Sequence, residues 1–305
     1  MSQKNVFLRT DLAAEWREEH SHLPKGVFFE EREQNGWTVS TLHIQSPEGA
    51  AAMGRAQGIY QTVALGKSWL FGEEERLLAT KTLSSLIRQA LLRLEQSDRD
   101  GDPSQKPQSD GPILVVGLGN RAMTADAIGP MTVERILVTN HVKQLDPPLF
   151  SRLNHRAVAA ICPGVLGQTG IESALTVQAV VKSLRPRALL VIDALAARSV
   201  ERLATTVQLS TGGIAPGSGV GNDRPAFTSR RLGVPVLALG VPTVVDSATL
   251  VFDAFQKAGI DDLPPALLPV LENGKSFFVS LKEADAAFKA LADLLAHAID
   301  EALAL

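Results

Sequence analysis

Cysteine, aromatic residues and excess charge are all scarce in this chain of 305 residues. One cysteine, Cys162, excludes an internal disulfide and any all-thiolate zinc site. Aromatics supply 5% of residues against 45% hydrophobic overall, so Val, Leu, Ile and Ala must fill the core. A formal net charge of −3 leaves no electrostatic footprint for nucleic acid or for an anionic membrane surface. No apolar run approaches the roughly 20 residues of a transmembrane helix. The opening MSQKNVFLRTDLAAEWREEH is too polar for a secretory signal. These absences lead to the expectation of a soluble cytoplasmic protein with no direct nucleic-acid or membrane partner.

What is present is a repeated alternation. The unbroken apolar runs ILVVG (113–117) and ALLVI (188–192), with RAVAAI (156–161) and PVLALG (235–240), read as strands buried on both faces. Helical spacing is expected at about 126–138, 170–184 and 244–258, and Leu77 to Leu94 recur in three- and four-residue steps over 73–96. A closing amphipathic helix is expected over 279–304, with Ser280 and Glu283 as a capping box. Residues 37–46 and 58–65 read as strands, 11–19 as a short helix, and 97–112 as a flexible surface loop rich in polar residues, Pro and Gly. The rest of 1–36 reads as charged and irregular. The expected fold class is α/β, a mostly parallel central sheet flanked by helices on both faces, with an added N-terminal strand-containing segment.

Ligands of open α/β sheets gather at the carboxyl ends of strands. Asp126 and Asp193 each follow one of the apolar runs, so two carboxylates distant in sequence can meet in one crevice. A carboxylate pair can perform acid–base chemistry that one alone cannot. Each also has a plain structural reading: Asp126 as a helix N-cap, Asp193 as a cap or an ion-pair partner of Arg198. Gly117 and Gly119 permit a tight turn before Asn120. With Ala122 they give a loose dinucleotide fingerprint that lacks the acidic ribose-binding residue. Five glycines (Gly212, Gly213, Gly217, Gly219, Gly221) crowd one loop, where backbone can approach an extended ligand. Thr243 and Asp246 either line the same crevice or start the next helix. His141 and His155 lack any paired metal-ligand spacing, and nothing in the sequence brings His155 to Cys162 as a base to a nucleophile. No metal site and no cofactor are implied.

Together, RTDLAAE (9–15), VVGLGN…TADAIGP (115–130), ILVTNH (136–141), PGVLGQTGIES (163–173), IDALAARS (192–199), TTVQLSTGGIAPGSGVGN (205–222) and GVPTVVDSAT (240–249) resemble the germination protease family over nearly the whole chain. The resemblance implies an atypical aspartic endopeptidase, similar in fold to hydrogenase maturation proteases, with Asp126 and Asp193 as its catalytic pair. It further implies a self-processing zymogen that assembles as a homotetramer. Its substrates would be small acid-soluble spore proteins, in the developing forespore and spore core. The family's cleavage motif is Thr or Glu, an acidic residue, a bulky apolar residue, Ala, a small residue or Glu, then Glu. Thr10-Asp11-Leu12-Ala13-Ala14-Glu15 reproduces it. The expected cut therefore falls between Asp11 and Leu12, making 1–11 a propeptide and 12–305 one protease domain. One carboxylate would take a proton from water while the other, protonated, bonds the scissile carbonyl. Amides of the 212–221 loop, together with Gly117, Gly119, Asn120, Thr243 and Asp246, are the candidates for holding substrate or oxyanion. Two departures stand out: a shortening around 258–276 that bears on oligomer contacts, and Ile161-Cys162 in place of an alanine-rich strand end. Three rivals remain. One is a nickel-recognising maturation-type protease, whose Asp-Glu pair is here Asp126-Ala127. The others are an inactive peptide-binding homologue and a nucleotide-binding oxidoreductase.

Overall fold

The structure, a computed structural model, describes residues 9–20, 22–70, 72–97, 110–217, 224–260, 264–267, 269–271 and 277–305. In chain order the main elements are α1 (Ala13–Glu19), β1 (Val27–Gln34), β2 (Trp37–Ile44), β3 (Gly58–Ala64), α2 (Glu73–Ser97), β4 (Ile113–Gly117), α3 (Ile128–Val133), β5 (Val158–Ile161), α4 (Ser173–Leu184), β6 (Ala188–Ala197), β7 (Thr206–Ser210), β8 (Val236–Asp246), α5 (Ser247–Lys257), β9 (Phe278–Val279) and α6 (Ala284–Leu303). The strands join in one sheet in the order β1-β2-β3-β7-β8-β6-β4-β5, with β9 added beside β8.

The four apolar runs form the parallel block β8-β6-β4-β5. The other half of the sheet is antiparallel: β1, β2, β3 and β7 follow one another, and β7 meets β8 antiparallel as well. The sheet is thus mixed, its parallel half matching the expected architecture and β1–β3 forming the added N-terminal part. Period-two alternation sorts side chains between two faces. On one face Leu190, Ile192, Leu237 and Leu239 pack under α2, α3 and α6, which contribute Leu86, Ile87, Ile128, Phe288 and Leu291. On the other, Leu189, Val191 and Val236 pack under Val177 and Val181 of α4. Helices therefore flank both faces.

Several boundaries differ from the sequence reading. Strand β1 was not expected, because only Val27 of its eight residues is buried; an edge strand of this exposure has no apolar alternation to read. Strands β6 and β8 run past their apolar cores to Ala197 and Asp246, so Asp193 and Thr243 lie inside strands rather than beyond them. The helix expected at 126–138 is reduced to a 3-10 turn at Thr124–Asp126 and the six residues of α3. The capping box at Ser280 is not made. Helix α6 begins at Ala284 with Glu283 at its N-cap and no side-chain cap bond, and the Ser280 hydroxyl instead donates to the Thr243 carbonyl at 2.7 Å. Most of the loop expected at 97–112, residues 1–8 of the expected propeptide and much of 258–276 lie outside the described residues.

Candidate active site

Beyond β4 the chain must turn back sharply. Gly119 has φ +116°, and a Cβ there would sit 2.0 Å from the Asp126 carbonyl oxygen. Only glycine allows that approach. The fold-back lets the Asn120 amide donate to Asp126 Oδ2 at 2.9 Å. Asn120 is itself held, its side-chain oxygen accepting from the Ala122 amide and from Gln168 Nε2 at 2.9 and 2.7 Å. Asp126 is therefore not a helix cap. The N-cap of α3 is Ala127, which makes no side-chain bond, and the Asp126 carboxylate is bound to the loop instead.

Asp193 projects from the middle of β6 and is 4% exposed. Its register partner on β8 is Gly240, whose partner on β7 is Gln208. Residues in register share a face of the sheet, so Asp193 and Gln208 flank a strand position that has no side chain. Arg198, the partner weighed for Asp193, binds Asp253 at 2.8 Å.

Asp126 and Asp193 line one cleft of about 360 Å³, together with Gly119, Gly217 and Thr243 among the expected residues, and with Asp11 and Arg224. Burial raises the carboxyl of Asp126 above its ordinary pKa, opposed by the Asn120 amide and by Arg224. Asp193 is raised well above the carboxylate range. Burial is the main cause, the charges of Asp126 and Asp11 add to it, and the Ala194 amide and Arg224 oppose it. Both carboxyls are thus raised, and Asp193, the more deeply buried of the two, is raised further.

The segment that carries the cleavage motif is docked against the same face. The Asp11 amide donates to the Ala196 carbonyl, and the Ala196 amide donates to Asp11 Oδ2, each at 2.9 Å. Leu12 is fully buried among Leu195, Ala197, Leu203 and Val245. The Ala13 amide donates to Gln208 Oε1 at 2.7 Å. Glu15, 1% exposed, accepts from the Arg198 and Ser199 amides at 2.8 and 3.0 Å and from the Thr10 hydroxyl.

The remaining expected residues are sorted by the same geometry. Gly117 gives close packing, since a Cβ there would meet the Gly129 carbonyl at 2.5 Å. Asp246 caps α5 through the Thr249 amide at 2.9 Å, the helix-start reading weighed for it. Gly219 lies outside the described residues. His155 contacts the Arg156 and Asp300 carbonyls, and Cys162 stands at the opposite end of β5 with its thiol pKa raised by burial, so the two do not form a nucleophile pair. Among the described residues no group of three His, Cys, Asp or Glu is arranged to hold a metal ion. Sequence reasoning missed Arg55, Gln208 and Arg224. Gln208 alone left a trace, as a polar residue inside the strand TVQLS (206–210).

Fold and site together define an α/β protein whose paired carboxylates face a single cleft. A family model described as germination protease matches residues 6–258. Curated germination proteases are similar along most of the chain. That of Caldanaerobacter subterraneus subsp. tengcongensis is 42% identical over 252 residues, covering 82% of this chain and 72% of its own. That of Clostridium perfringens is 38% identical over 287 residues, covering 91% and 81%. That of Bacillus subtilis is 39% identical over 254 residues, covering 81% and 66%. The chain belongs to the germination protease family, and that membership makes it a hydrolase of peptide bonds.

Proposed function

We propose that this chain is an aspartic-type endopeptidase made as a precursor, that it cuts itself between Asp11 and Leu12, and that it then cleaves small acid-soluble spore proteins at the same motif. The observation that carries the reading is the docked segment: Thr10 to Glu15 matches the motif, and Asp11 lies in the cleft of Asp126 and Asp193.

In this mechanism Asp126, the less elevated carboxyl, is ionised and takes a proton from a water molecule. The water oxygen attacks the Asp11 carbonyl carbon. Asp193, protonated, gives its proton to the departing Leu12 nitrogen, and the C–N bond breaks to leave a carboxyl on Asp11 and an amine on Leu12. General acid and base catalysis of this kind requires the two groups in opposite protonation states. Cleavage therefore falls as pH rises through the elevated pKa of Asp193 and falls again in acid as Asp126 is protonated.

The test is incubation of the purified precursor, alone and with a spore-protein peptide bearing the motif, read by mass spectrometry across pH. A new N-terminus at Leu12 and a single cut before the bulky apolar residue are expected. Asp126→Asn and Asp193→Asn are each expected to abolish both cuts in protein that remains folded by circular dichroism. Peptide binding without turnover in the unaltered protein would identify an inactive homologue instead.

A further inference from the structure

The carbonyl at the expected cut already has two donors. Asp11 O accepts from Arg55 Nη1 at 2.8 Å and from Gln208 Nε2 at 3.1 Å. Arg55 Nη2 also holds the preceding carbonyl, Thr10 O, at 3.0 Å. Neither donor belongs to the glycine-rich loop from which oxyanion stabilisation was expected.

Both donors are placed by ordered structure. Gln208 stands on β7 in register with Gly240 and, across it, with Asp193. Its amide brackets the scissile peptide: the nitrogen donates to Asp11 O on one side and the oxygen accepts from the Ala13 amide on the other. Asp11 is tied to β6 through Ala196 and to β7 through Gln208, so it spans β8 between them, and the space over Gly240 is filled by the Leu195 side chain. The Arg55 Nε is fully enclosed, although the residue as a whole is only partly buried. Burial lowers the guanidinium pKa and the charges of Asp11, Tyr60 and Glu15 raise it again. Its planar fork presents Nη1 and Nη2 to two carbonyls at once, a geometry that a lysine cannot reproduce.

We infer that Arg55 and Gln208 form the oxyanion site of this protease, holding the carbonyl oxygen of the residue before the cut. This inference rests on the reading of Asp11–Leu12 as the processing bond. As water attacks the Asp11 carbonyl carbon, the C=O π pair moves onto the oxygen, which stays bonded to Arg55 Nη1 and Gln208 Nε2. On collapse the pair returns, the C–N bond breaks, and Asp193 protonates Leu12 nitrogen. Because the carbonyl is polarised by Arg55 and Gln208, the proton of Asp193 is left for the leaving amine. Donors fixed before the reaction act where charge develops and need no reorganisation. The arrangement also assigns specificity: the same guanidinium grips two successive carbonyls, so it reads an extended backbone before the cut, while the Arg198 and Ser199 amides read the glutamate four residues after it.

Self-processing by the full-length chain tests this directly, because its substrate is already docked and the rate contains no binding step. Gln208→Glu keeps the acceptor for the Ala13 amide but removes the donor to Asp11 O and adds a negative charge beside the oxyanion. It is expected to slow appearance of the Leu12 terminus by about 10²–10³-fold, the usual loss for one oxyanion donor. Arg55→Met is expected to slow it at least as much, and Arg55→Lys less than Arg55→Met, since charge is kept and the fork lost. Hydrogen exchange at the Ala13 and Ala196 amides reads docking separately and is expected to stay protected in Gln208→Glu. Processing at the unaltered rate in Gln208→Glu overturns the inference, as does a slowing matched by loss of that protection, which would make the residues mere holders of the segment. A cut in the unaltered chain at a bond other than Asp11–Leu12 overturns the processing reading and the inference with it.

Discussion

Asp193 illustrates how a single buried carboxyl links chemistry to stability. Its pKa is raised in the folded chain, chiefly by burial, so between the ordinary aspartate value of about 3.9 and the elevated one the folded state binds more protons than the unfolded state. Stability is then fully present below about pH 4 and is lost as pH rises until Asp193 ionises, by about 1.4 kcal/mol for each unit of elevation. The variant Asp193→Asn lacks this loss. Denaturant melts from pH 4 to 8 should show its advantage over the unaltered chain growing with pH and then levelling; a constant difference would show that Asp193 titrates normally. The two aspartates were legible because each follows a strong apolar run, and the family motifs singled them out from ordinary caps. Arg55 was not legible. It follows Gly54 in a short polar turn, and only the fold brings it to a carbonyl 44 residues away.

At the scale of elements, the parallel block and the helices over it were readable from periodicity, because strands buried on both faces and amphipathic helices leave unambiguous patterns. The overruns of β6 and β8 were not, because Asp193, Gly240, Pro242 and Thr243 interrupt the apolar code at the place where the site is built. The same departure from pattern marks the turn after β4. Gly119→Ala there would combine an unfavourable φ with a 2.0 Å contact to the Asp126 carbonyl. We expect a loss of about 1–3 kcal/mol in denaturant unfolding. A matching fall in processing rate is expected as the Asn120–Asp126 bond is displaced. Gly36→Ala, where a Cβ meets nothing within 4 Å although φ is also positive, separates backbone strain from the contact.

Across the whole molecule, residues 9–11 connect elements far apart in sequence. Arg9 donates to Thr249 Oγ1 at 3.2 Å, Asp11 pairs with Ala196, and Arg55 holds both Thr10 and Asp11 carbonyls. Release of 1–11 would remove all of these and leave a largely enclosed guanidinium without its carbonyl partners, at a net cost of about 1 kcal/mol for each bond. The processed chain is therefore expected to melt several degrees below its precursor in the same buffer, by calorimetry of matched samples. The in-register row Asp193, Gly240 and Gln208 has a different bearing on the molecule as a whole. Its spacing is inherited from the hydrogen-bond ladder, with neighbouring strands about 4.8 Å apart. Surface connections can consequently lengthen, shorten or change sequence among descendants without disturbing the distance from acid to amide. A one-residue slip of β6 would instead turn Asp193 under the opposite helical layer. The exceptions among those connections are the turn that carries Arg55 to the Thr10 and Asp11 carbonyls and the turn that brings Gly119 to Asp126, which are bound to the same site as the ladder.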